Sequence, residues 1–170
     1  MRLIIGISVE VAMFAGILVG SALIPPGLPF ALYVILAQLA GTYLVHCPAH
    51  YIVGGVVGIR FRKIHFGRTT LARVLPVRFA GLARLVPILT LSTDKASLAK
   101  ASSGRAAAMY ASGTVASVSS AFVIAGAATT TEALFPAAVA WLVAIGYLAF
   151  DVVFSPRSGD IMRARTALRL

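Results

Sequence analysis

Residues 28–59 read LPFALYVILAQLAGTYLVHCPAHYIVGGVVGI. No Asp, Glu, Lys or Arg interrupts them. At about 1.5 Å of rise per residue, such a helix overruns a hydrocarbon core of about 30 Å, so it must tilt or kink, and Pro48 is the place to kink. Inside the run stand His46-Cys47-Pro48-Ala49-His50. Histidines four apart project from one helical face, one turn from each other. That is also the spacing of paired metal ligands on a helix. Gln38 and Thr42 continue the same i, i+4 stripe towards the N-terminus. Polar groups at membrane depth face a bundle interior or a wet cavity, so the stripe predicts an inward, solvated pocket.

Working outward, the chain of 170 residues is 59% hydrophobic and only 12% charged, with mean hydropathy +0.94. Soluble domains carry about twice that share of charge, so the expected class is an all-α transmembrane protein of about four helices, forming one domain. The spans read as about 3–24, 28–59, 106–128 and 132–154. The first apolar run suits a span better than a cleavable signal. Residues 60–105 form a basic loop; its start, from Gly58 to Phe66, partly alternates as a strand would. Its middle, Phe79 to Leu91, is apolar but short for a span and reads as re-entrant or interfacial.

The formal net charge is +10. Arg2, the 60–105 loop and the C-terminal Arg157, Arg163, Arg165 and Arg169 all fall on one side of a four-span arrangement, while Pro25–Pro29 and Thr129–Glu132 lack Lys and Arg. The positive-inside rule then places both termini in the cytoplasm. Lipid is the expected partner of this charge. Nucleic acid is not, because no aromatic platform interleaves the cations. One cysteine excludes an intrachain disulfide. The chain has no Asn and a single Gln, which fits a thermophile or equally a GC-rich coding sequence.

The order of motifs resembles the site-2 protease family of intramembrane zinc metalloproteases. The likeness starts at His46-Cys47-Pro48-Ala49-His50, where the family has HExxH, and runs on through Gly58-Ile59-Arg60-Phe61-Arg62. It continues in Gly104-Arg105-Ala106-Ala107-Ala108-Met109-Tyr110-Ala111-Ser112-Gly113, similar to a family helix opening "RALIALAGP". It closes with Phe150-Asp151-Val152-Val153-Phe154-Ser155-Pro156-Arg157-Ser158-Gly159-Asp160, where the family aspartate completes the metal site. Residues 30–165 are covered, and the core would be spans two to four. The resemblance implies zinc held by His46, His50 and Asp160, two imidazoles and a carboxylate being an ordinary open zinc set.

Position 47, however, holds Cys where the family has its catalytic glutamate. A thiol is a poor proton shuttle beside zinc, and the Cys47 side chain lies about 100° around the helix from His46. The leading expectation is therefore a divergent member without ordinary peptidase activity, a pseudoenzyme. It would bind membrane-embedded protein segments or serve as a subunit among other membrane proteins. A second reading is an active protease whose base is displaced. Glu10, an acid inside the first span, is then the catalytic candidate. A third is a metal-free structural subunit. Asp151 reads as a partner for a histidine or a loop arginine. Gly16-x-x-x-Gly20 and Gly54-x-x-x-Gly58 read as close helix approaches, and the small residues Ser112, Gly113, Ser117 and Ser120 as packing alone.

Overall fold

The computed structural model describes residues 3–21, 23–25, 27–68, 87–131 and 133–169. It is mostly helical: α1 Leu3–Gly20, α2 Leu28–Leu44, α3 His46–Val56, α4 Lys95–Lys100, α5 Ser103–Thr129, α6 Leu134–Ser158 and α7 Asp160–Leu168. Two strands, β1 Phe61–Arg68 and β2 Pro87–Thr93, pair antiparallel between α3 and α4. Four stretches are long and apolar enough to cross a membrane: Leu3–Gly20, Leu28–Val56, Ser103–Thr129 and Leu134–Ser158. α1 and α6 bury little and expose Val, Leu and Ile along their length, as faces turned to lipid would. These four stretches lie within a few residues of the bounds expected for the spans.

The second span is two helices. The break falls at Val45, three residues before Pro48. Proline removes its own N–H and its ring collides with the carbonyl four residues back, here that of Leu44. The disturbance therefore appears upstream of the proline itself. α3 ends in a Schellman turn. Gly58, at φ 82°, sends its N–H to the Gly55 carbonyl at 3.2 Å, and Ile59 N–H reaches the Gly54 carbonyl at 2.7 Å. That turn aims the chain into β1, the strand expected there. Of the glycine pairs, Gly20 and Gly54 do sit tight, with a Cβ meeting the Tyr33 hydroxyl at 2.7 Å and the Phe61 ring at 2.5 Å. Gly16 and Gly58 meet nothing within 4 Å; Gly58 serves the turn instead.

β2 was not expected. Its residues 87–91 end the apolar stretch read as re-entrant, and the rest of that stretch lies outside the described residues. The register pairs Ile64 with Leu91 and His65 with Thr90, and slips between Phe61 and Lys63. At the slip, Arg62 reaches the Asp94 carboxylate at 2.9 and 2.6 Å. Asp94 also caps α4 through Ser97 N–H at 3.0 Å. The Ser97 N–H, then the Arg62 guanidinium, hold the Asp94 carboxyl below its ordinary range.

The core has two parts. Phe30, Val34 and Ala37 of α2 meet Ala121, Ile124, Ala125 and Ala128 of α5 and Ala140 and Ala144 of α6. Ile7, Cys47 and Ile64 join α1, α3 and the sheet. Gln38 locks the first part. It is 1% exposed, and its Nε2 donates to the carbonyls of Ala121 at 3.0 Å and Ala140 at 2.8 Å, tying α2 to α5 and α6. Gln38→Ala should cost about 1–3 kcal/mol of stability, read from unfolding in detergent. Leu32→Ala, on an exposed face, should change little. Equal losses would refute the lock.

Candidate metal centre

His46 is the first residue of α3 and His50 lies one turn on. Asp160 arrives from the other end of the chain as the first residue of α7. α6 runs through Pro156 to Ser158, a few residues past the expected end of the fourth span, and breaks at Gly159. A Cβ there would sit 2.8 Å from the Ser155 hydroxyl and 3.0 Å from its Cα. Only glycine lets the chain turn so closely on Ser155, whose carbonyl accepts the Gly159 N–H at 2.9 Å.

The three expected residues are together. Asp160 Oδ2 lies 2.9 Å from His46 Nε2 and 3.1 Å from His50 Nε2, and the two Nε2 atoms are 3.3 Å apart. Among the described residues they form the group of three able to hold a metal ion. Tetrahedral ligands about 2.0–2.1 Å from zinc stand about 3.3 Å from one another, so the spacing fits.

The hydrogen bonds behind the rings matter as much. The Met109 carbonyl can only accept, so His50 Nδ1 donates to it, at 2.7 Å. Ser117 spends its hydroxyl hydrogen on the Thr42 carbonyl at 2.7 Å, so towards His46 Nδ1, 3.1 Å away, it accepts. Both imidazoles thus carry the hydrogen on Nδ1 when neutral and turn a bare Nε2 to the same point as Asp160 Oδ2. Three acceptors converge there, an arrangement that only a shared proton or a cation relieves. Burial pushes the Asp160 carboxyl up; when the imidazoles carry a second hydrogen, on Nε2, their hydrogen bonds and charge outweigh it and hold the carboxyl well below the carboxylate range. Arg163, one turn on, lies 3.6 Å from the other carboxylate oxygen, Oδ1.

Small residues on α5 do more than pack. A Cβ on Gly113 would lie 2.3 Å from His50 Nε2 and 2.8 Å from His46 Cε1. Ser112 shares the Met109 carbonyl with His50. These positions were read as packing alone; the available signal was the spacing of Met109, Gly113 and Ser117, every fourth residue, the same as in the histidine stripe. Gln38 and Thr42 do face inward with the histidines, both buried.

A cavity of about 300 Å³ opens on the cluster, bordered by Leu89, Thr90 and Leu91 of β2, Tyr110 of α5, Asp151 of α6 and Arg163. Cys47 borders it too, and its thiol donates to the Leu89 carbonyl at 3.3 Å rather than turning to the histidines. The Leu89 N–H goes to the Tyr43 hydroxyl at 2.8 Å. Two side chains of the broken span therefore hold both polar groups of one strand residue. Glu10 is 2% exposed, its carboxyl oxygens make no hydrogen bond among the described residues, and it does not border the cavity. His65 is exposed, beside Ser92.

No family model, curated protein or solved structure matches the chain. The site rests on its geometry. Gly113→Ala should force the imidazoles apart and destabilise the fold by about 1–3 kcal/mol, measured by thermal unfolding. Gly104→Ala, with open space around it, should not. A neutral Gly113→Ala would contradict the close approach.

Proposed function

We propose that this chain is a divergent, site-2-protease-like membrane protein that binds zinc through His46, His50 and Asp160 and lacks ordinary peptidase activity. The observation that carries the reading is the convergence of two bare Nε2 atoms and one carboxylate oxygen at 2.9–3.3 Å in a cavity between apolar helices. Both termini and the 60–105 loop are cytoplasmic in this reading, by the positive-inside rule. The cavity serves membrane-embedded protein segments or neighbouring subunits.

Zinc, when bound there, would supply an open coordination position to a water or carbonyl oxygen. The chain's own groups do the rest. Ser117 and the Met109 carbonyl fix the ring orientations, and Asp160 adds negative charge. What the chain lacks is a carboxylate at position 47 to take a proton and pass it on, a service worth roughly 10²–10⁴ in rate. Cys47 instead fastens β2.

One observation favours a second reading, the active protease with a displaced base: a further carboxylate, Asp151, does border the cavity, whereas Glu10 does not. Asp151→Asn and Glu10→Gln separate the two candidates should the unmodified protein cleave a membrane substrate.

Metal analysis of protein purified without chelator tests the leading reading. About one zinc per chain is expected, with loss in His46→Ala/His50→Ala and in Asp160→Ala. Ser117→Ala should weaken affinity about 10–100-fold. Folded, metal-free wild-type protein that takes up no added zinc would refute the proposal and favour the structural subunit. For the missing base, Cys47→Glu restores the HExxH pattern. Proteolysis by Cys47→Glu and none by wild type is the expected outcome; cleavage by wild type would overturn the pseudoenzyme reading.

A further inference from the structure

Helix α7 buries one narrow side and leaves the other uncovered. Ala164 is buried against the bundle, and Asp160, on the same side, is engaged by the imidazoles. Successive helical residues are about 100° apart, which turns Met162, Arg165 and Arg169 away from that side, with Ile161 and Leu168 along one edge between. Arg165 and Arg169 are exposed, and Met162 and Leu168 are 38% and 62% exposed. The two arginines are i, i+4 neighbours. Ile161 and Leu168 flank them on one edge and Met162 on the other.

Position adds the second constraint. α7 starts two residues after α6, a helix long and apolar enough to cross a bilayer. Its outer side therefore lies at the bilayer boundary. Paired guanidinium groups bordered by apolar side chains at that depth match a phospholipid. The cations meet the phosphate, and the apolar edges meet the start of the acyl chains. A second copy fits worse, since two-fold pairing of this face sets arginines against arginines. We infer that the outer side of α7, through Arg165 and Arg169, docks an anionic phospholipid headgroup. The site is separate from the metal cluster and does not depend on it.

Native mass spectrometry of the full chain in detergent, with phosphatidylglycerol or phosphatidylcholine added, tests this. Phosphatidylglycerol should be retained over phosphatidylcholine. Arg165→Gln/Arg169→Gln should weaken its retention about fivefold for each arginine. Lys95→Gln/Lys100→Gln removes the same charge from exposed positions of α4 and should leave retention unchanged. Arg165→Lys/Arg169→Lys, a charge-keeping pair, should retain the lipid and guards against a folding defect. Equal retention of both lipids, equal retention by the glutamine pair, or equal loss in both double variants would overturn the inference. So would displacement of the lipid by millimolar inorganic phosphate, which marks a free-phosphate site, or a dimer lost in the glutamine pair, which marks a protein contact.

Discussion

One seam organises the molecule. Every fourth residue from Gln38 to His50 meets every fourth residue of α5 taken backwards from Ala121 to Met109. Gln38 donates to the Ala121 carbonyl, the Thr42 carbonyl accepts from Ser117, His46 lies over Gly113, and His50 donates to the Met109 carbonyl. Fourth-residue rows on α2 and α3 and on α5 thus face each other, running in opposite directions. In an apolar surrounding a buried polar group needs a partner. The facing row supplies carbonyls to Gln38 Nε2 and His50, and the Ser117 hydroxyl to His46 and to the Thr42 carbonyl. The Thr42 hydroxyl bonds Leu39 in its own helix, and Gln38 Oε1 has no partner among the described residues. α6 hangs from the seam through the second bond of Gln38, and β2 through Tyr43 and Cys47.

How much of this the sequence disclosed depends on what kind of force acted. The apolar stretches and the strand after Gly58 were legible, because hydropathy and alternation leave a mark in residue type; the pairing of His46 with His50 was legible from their spacing, and Asp160 joined them only through the resemblance in the order of motifs. The break at Val45 was half legible. Pro48 announces it, but the clash falls on the carbonyl of Leu44, so the damage is displaced along the chain. β2 was hidden because an apolar run of a dozen residues looks the same as strand, helix or re-entrant loop. The roles of Gly113 and Ser117 were hidden for another reason. A small residue in a membrane helix serves close packing and a hydrogen-bonded cluster equally well, and only the partner across the seam tells which.

Position 47 shows that the residue beside the histidines need take no part in orienting them. The imidazoles are oriented from behind by α5, not by their neighbour in sequence. The side chain at 47 is therefore free to bond elsewhere without disturbing them. In this chain it bonds the strand that borders the cavity. The geometry of the His46, His50 and Asp160 cluster and the choice of side chain at position 47 are thus physically separable.

His50 and Asp160 lie 110 residues apart in sequence and 3.1 Å apart in space. The chain is made from its N-terminus, so the histidines are in place well before their acid has been synthesised. The cluster cannot close until α7 has turned at Gly159. It therefore closes only after all four apolar stretches have been made, and a chain cut short before residue 160 carries those stretches without the acid of its cluster.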